Sequence, residues 1–174
     1  MKGIILDVET TGIDRKDEIV ELAISDLDGN ILFYSRIKPT VSMSAMATRL
    51  NGITDNMLKN EPSIIDVLQK IEPIVRDADK IYCWSEDFVI NKLIKTAHSM
   101  NADFETIKLI RKRLVDVRSI VSPPERCWPR MDAVAYNYGI EWEGKRYSST
   151  NDCLVISKLI NKLRDDKRIS YVFD

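Results

Sequence analysis

Three segments of alternating or continuous apolar residues open the chain. Ile4-Ile5-Leu6-Asp7-Val8-Glu9 is short and apolar apart from its acids, and Thr10-Thr11-Gly12 ends it, so it reads as a strand with a buried face. Glu18-Ile19-Val20-Glu21-Leu22-Ala23-Ile24-Ser25 follows with strand alternation, and Asp28-Gly29-Asn30 is a hairpin signal. Ile31-Leu32-Phe33-Tyr34-Ser35-Arg36-Ile37 returns, and Pro39 stops it. The pattern predicts three antiparallel strands.

Helical spacing takes over downstream. Ser44 to Asn51 reads as a short helix ended near Gly52. Pro62-Ser63 launches a longer helix, with apolar residues at Ile64, Ile65, Val67, Leu68, Ile71 and Val75. Lys80-Ile81-Tyr82-Cys83-Trp84 is another short strand, and Phe88 to Met100 is helical in pattern. Ile107 to Leu114 and Val115 to Ile120 carry a strand or a helix each, and their periodicity does not decide which. Met131 to Tyr138 reads as a helix capped by Gly139, and Asp152 to Leu163 as the last one. Nothing in Arg168 to Asp174 ties that segment down. No repeat, low-complexity segment or linker interrupts this order, so residues 1–174 are expected to form one α/β domain.

Composition narrows the class. The 174 residues suffice for one domain with a sizeable core, and 44% apolar with 30% charged residues is ordinary folded-protein composition. A net charge of −1 gives no global field toward nucleic acid or membrane. Contact with a polyanion therefore falls to local basic patches, with cations handling charge at a reacting centre. Cys83, Cys127 and Cys153 form no CxxC pair, which argues for free thiols in a reducing compartment, and the single histidine, His98, leaves no readable zinc site. No apolar run approaches membrane-spanning length, and Met1-Lys2-Gly3-Ile4 enters an acid-bearing strand rather than a signal-peptide core. A cytoplasmic protein without a membrane partner is expected.

The first strand carries the most telling chemistry. Asp7 and Glu9 stand at i and i+2, so a strand points both to one face. Burying two like charges side by side is costly, and a divalent cation removes the repulsion because hard oxygen ligands suit Mg²⁺ or Mn²⁺. The alternative is two surface acids on an edge strand, which sits poorly with the apolar residues before them. The pair reads as half of a metal site.

Asp7-Val8-Glu9-Thr10-Thr11-Gly12 resembles the first motif of the DEDD (DnaQ-like) 3′→5′ exonucleases. The similarity continues through Glu18-Ile19-Val20-Glu21-Leu22-Ala23, Asn51-Gly52-Ile53-Thr54, Val115-Asp116-Val117, Met131-Asp132-Ala133-Val134-Ala135 and Tyr147-Ser148-Ser149-Thr150-Asn151-Asp152. The resemblance implies an RNase H-like mixed sheet, three antiparallel strands followed by parallel ones, flanked by helices. It also implies two divalent cations, Mg²⁺ or Mn²⁺, held by four carboxylates that cleave the terminal phosphodiester of single-stranded DNA or RNA 3′ ends. Such chemistry needs a neutralised phosphate oxygen, an ionised water and a stabilised leaving alkoxide, which two cations about 4 Å apart supply. Asp7 is expected to bridge both cations, and Glu9 to sit on the one that activates water. Backbone amides at Thr10, Thr11 and Gly12 are expected to hold the terminal nucleotide.

Two further positions depart from the family pattern. The second motif ends in a Phe-Asp pair at a helix start, where this chain has Trp84-Ser85-Glu86-Asp87-Phe88-Val89. With Phe88 in register, Val89 stands where the aspartate belongs, and Leu93 supports that register. With a shorter turn, Asp87 supplies the ligand from the helix start, where the dipole also favours negative charge; this placement is preferred, Glu86 being a weaker substitute. Asp152 fits the last motif. The larger branch of the family places a general-base histidine five residues earlier, where this chain has Tyr147; the smaller branch places a tyrosine four residues earlier, where it has Ser148. A phenol with an ordinary pKa of about 10 is a poor base at neutral pH. Tyr147 is therefore expected to orient a water, or else to cover the loop as a rim aromatic. His98 reads as a surface residue, and Asp116 and Asp132 as structural caps or strand ends.

Lys108, Arg111, Lys112 and Arg113 read as a solvated helix face, whereas Arg126, Arg130, Lys145 and Arg146 flank the final motif and are better placed to track a phosphate backbone. The resemblance suggests Met46 and Leu50 as a wedge against the terminal base, although either fits a core. Trp84, Trp128 and Trp142 read as core or rim packing. No residue identifies a 2′-hydroxyl contact, so DNA and RNA are not separated. A homodimer, as in some relatives, has no legible interface. The leading reading is a metal-dependent 3′→5′ exonuclease. A catalytically weak relative that binds nucleic acid or a protein competes with it, and non-nucleolytic phosphoester chemistry on the same scaffold is a distant third.

Overall fold

The computed structural model describes residues 2–122 and 129–165. Strands β1 (Gly3–Thr10), β2 (Ile19–Asp26) and β3 (Ile31–Arg36) form the expected antiparallel meander. Helices α1 (Ala45–Asn51), α2 (Asp55–Leu58) and α3 (Ile64–Asp77) follow, then β4 (Lys80–Cys83) and α4 (Glu86–Ser99). The undecided region resolves into α5 (Glu105–Arg113), a strand β5 of only three residues (Leu114–Asp116) and α6 (Val117–Val121). Helices α7 (Met131–Asn137) and α8 (Ser149–Asp165) complete the described chain. The sheet runs β3-β2-β1-β4-β5, with β1, β4 and β5 mutually parallel.

Local chemistry explains the boundaries. Ser63 and Asp66 close a reciprocal capping box at the start of α3. Ser44 Oγ accepts from the Ala47 N–H at 3.1 Å to start α1, and Gly52 ends it at φ 72°, a left-handed cap that glycine adopts without strain. The one-turn α2, absent from the sequence reading, is too short to leave a periodic trace. Strand alternation divides β1 between two cores. Ile4, Leu6 and Val8 pack with α3, α4 and α5, whereas Ile5 joins Ala23, Tyr82 and the apolar face of α8. Asp7 and Glu9 share the face of Ile5, so the packing that orders the sheet aims both acids toward α8. No described helix is long and apolar enough to cross a membrane.

Candidate active site

Helix α8 completes what β1 begins. Asp152, in its first turn, stands with Asp7 and Glu9 so that one carboxylate oxygen of each lies within 4.8 Å of the others. Glu21 fixes that meeting. It pairs with Glu9 across the β1–β2 ladder, and its Oε1 accepts from the Ser149 N–H at 3.0 Å and the Ser149 hydroxyl at 2.9 Å. The Tyr34 hydroxyl donates to its other oxygen at 2.8 Å. A buried strand acid thus anchors the helix start that carries Asp152, where the helix dipole favours negative charge.

Three acids in one buried place resist ionisation. Asp7 and Asp152 are 9% and 7% exposed. Burial, then Asp152, Glu9 and Glu21, push the Asp7 carboxyl well above the carboxylate range. Burial, with Asp152 and Glu21 nearby, raises Glu9 to about 8, and burial raises Asp152 to about 7. Asp152 Oδ1 is buried without a hydrogen-bond partner. Converging oxygens, one of them unsatisfied, suit a hard divalent cation, which would displace these protons.

The group opens into a cleft of about 1000 Å³. On one side the Thr10 hydroxyl donates to the Gly12 carbonyl at 2.7 Å, and a Cβ at Gly12 would meet Asp17 Oδ2 at 2.5 Å. The Asn51 side chain hydrogen-bonds Glu9 and caps the Ile53 N–H at 2.9 Å, while Lys145 Nζ donates to the Asn51 carbonyl at 2.7 Å. The Asn-Gly-Ile-Thr signal is therefore a brace under Glu9. Met46, 60% exposed, and Leu50 line the cleft rather than the core, together with Ile13, which the sequence reading passed over. Trp84 and Trp142 line it too, and Arg146 lies 5.3 Å over the Trp142 ring.

The structure does not bring Asp87 to the three carboxylates. Asp87 is exposed on the first turn of α4 and lines an adjoining cleft with Asn91, Lys92 and Arg118. Val89, 2% exposed, lines the carboxylate cleft with Phe88. Residues two apart on a helix point about 200° away from each other, so α4 cannot bury Val89 there and present Asp87 beside it. Glu86 also lies outside the group; its N–H donates to Asp116 Oδ2 at 3.2 Å.

Tyr147 does reach the cleft, from a loop residue at φ 58°, and its hydroxyl accepts from Arg130 Nη2 at 3.3 Å. Arg130 and Arg146 also donate to Asp132, at 3.0 and 3.2 Å, and the Arg130 contacts hold that carboxyl below its usual range. Asp116 caps α6 through the Ser119 N–H at 3.0 Å. His98 is exposed in the last turn of α4 and does not line the cleft. On α5, Lys108 pairs with Glu105 at 2.6 Å, and Arg113 donates to the Arg76 carbonyl at 2.9 Å. Arg126, Cys127, Trp128 and Arg168 to Asp174 lie outside the described residues. Glu21 and Asn51 are the site-building groups that sequence reasoning missed; both stand inside the family motif segments, which is the signal that points to them.

An exonuclease family model, RNase_T, matches residues 4–160. The chain belongs to the DnaQ-like 3′→5′ exonuclease family. The DnaQ-like fold is the RNase H-like mixed sheet described above. The PolC-type DNA polymerase III of Thermotoga petrophila is 33% identical over 116 residues, 64% of this chain but only 7% of that protein. The DNA polymerase III epsilon subunit of Aquifex aeolicus is 25% identical, covering 97% of this chain and 83% of that one. Escherichia coli exonuclease I, in a zinc-bound complex with ssDNA, shares the fold with a TM-score of 0.76 and 14% identity, covering 99% of this chain and 42% of that one.

Proposed function

We propose that this DnaQ-like domain removes nucleotides from single-stranded 3′ ends of DNA or RNA by metal-dependent hydrolysis, releasing nucleoside 5′-monophosphates. The observation that carries this reading is the convergence of Asp7, Glu9 and Asp152 beneath an open cleft. Mg²⁺ or Mn²⁺ held by these three residues would supply charge neutralisation at the phosphate and an ionised water. Asp87 takes no part in this set. Tyr147 orients the attacking water through its hydroxyl, and Arg130 fixes that hydroxyl. The backbone at Thr10, Thr11 and Gly12 holds the terminal nucleotide, and Met46 and Leu50 cover its base. Arg130 and Arg146 meet the phosphate backbone, a contact that positions a strand without reading its sequence. The likeness to exonuclease I supports a single-stranded substrate.

Val89 favours a second reading, a binding module with weak catalysis, because it offers no oxygen where the family pattern has a carboxylate. Oligonucleotides labelled at either end, with Mg²⁺ or Mn²⁺ and then EDTA, separate the two. Stepwise shortening from the 3′ end, stopped by EDTA and lost in Asp7→Ala, is expected; binding without cleavage under either metal supports the module. Tyr147→Phe should slow cleavage about tenfold, within the range of a lost proton-handling contact.

A further inference from the structure

We infer that the residues of this chain hold one divalent cation rather than two, because Val89 closes the position from which a fourth carboxylate would serve the second. The inference rests on the reading of Asp7, Glu9 and Asp152 as a cation site. Those three carboxylates are the members of the group, among the described residues, that stand close enough to share an ion. The buried, unpartnered Oδ1 of Asp152 is an independent sign that a ligand completes the site.

The α4 side of the cleft is of another kind. Val89 is 2% exposed and lines this cleft with Phe88 and Trp84. A hard cation exchanges water only for oxygen, and an isopropyl group offers none. Of the acids on the same helix turn, Asp87 lines the adjoining cleft and cannot face one way with Val89, and Glu86 lies outside the carboxylate group. A second cation could share Asp7 with the first but must draw its remaining ligands from water and from the substrate phosphate, so its retention follows bound nucleic acid.

Calorimetry and electron paramagnetic resonance with Mn²⁺ alone, on the full chain without nucleic acid, read this directly. One Mn²⁺ per chain is expected, with affinity falling at least about tenfold in Asp152→Asn. Val89→Asp should bind two. Val89→Asn adds an oxygen at lower burial cost and should show a weaker second site, which serves if the aspartate variant does not fold. Two Mn²⁺ on the wild-type chain overturn the inference, as does a folded Val89→Asp that still binds one. The strand-shortening assay on the same preparation keeps the readings apart. Two Mn²⁺ with cleavage overturns the single-cation inference and leaves the exonuclease standing; one Mn²⁺ without cleavage does the reverse.

Discussion

The two walls of the cleft differ in how their acids are supported. On the sheet side, Asp7 and Glu9 are aimed by strand alternation, Glu9 is braced by Asn51, and Asp152 is delivered by a helix start that Glu21 pins to β2. On the α4 side, Phe88 and Val89 line the cleft, Asp87 lines the adjoining one, and Glu86 lies outside the carboxylate group. An acid becomes part of this site only where a second group holds it against the repulsion of its neighbours. Sequence proximity to the motif does not suffice.

Exchanging one acid on each wall gives the largest contrast. Asp152→Asn keeps the shape and removes one carboxylate from the group, and cleavage of a labelled single strand should fall by about 10³-fold or more, the scale of losing metal-held charge at the transition state. Asp87→Asn should stay within about twofold, as an exposed residue outside the reacting group. A comparable loss in both variants would place Asp87 in the reaction and erase the distinction between the walls.

Glu21→Gln tests the support rather than the ligands. The amide keeps the volume but weakens the acceptor that takes both the N–H and the hydroxyl of Ser149. Mn²⁺ affinity and cleavage should fall about 10–100-fold, as for other groups that orient a ligand from behind. A structural role alone would lower the melting temperature and leave Mn²⁺ affinity in the folded chain unchanged, so the two measurements together decide the point.

These contrasts mark where the sequence could be read. The facing of Asp7 and Glu9 was legible because a period of two depends on nothing beyond the strand. The residue that α4 presents to the cleft was not, because each residue of helix register turns a side chain by about 100°, and a shift of two exchanges Asp87 for Val89. Local pattern left that register open; the burial of Val89, Ile90 and Leu93 against the core sets it. The role of Glu21 was not legible although it stands within a motif segment, since its partner Ser149 lies 128 residues away. β5 was left undecided between strand and helix for a simpler reason. Three residues carry no periodicity, and only pairing of Ile81 to Cys83 with Leu114 to Asp116 makes them a strand.

The smallest expected effect is in stability, and it tests whether the sheet-side wall is strained when no cation is present. Glu9 rises from 4.5 to about 8 and Asp152 from 3.8 to about 7 on folding, with burial the first cause in each. A carboxyl whose folded pKa lies above its unfolded one binds more protons folded than unfolded. Its contribution is therefore complete below the ordinary carboxylate range and is lost as pH rises through the folded value. The metal-free chain should melt at progressively lower temperature as pH rises from the ordinary carboxylate range to about 7 and about 8, and level off beyond. Saturating Mn²⁺ should flatten that decline, because the cation replaces the protons it expels. Asp152→Asn should flatten it without metal, by removing one of the charges that the others resist. A metal-free melting temperature that holds steady or climbs across this window would mean that the three acids ionise freely. The sheet side would then be no more committed to a cation than the α4 side.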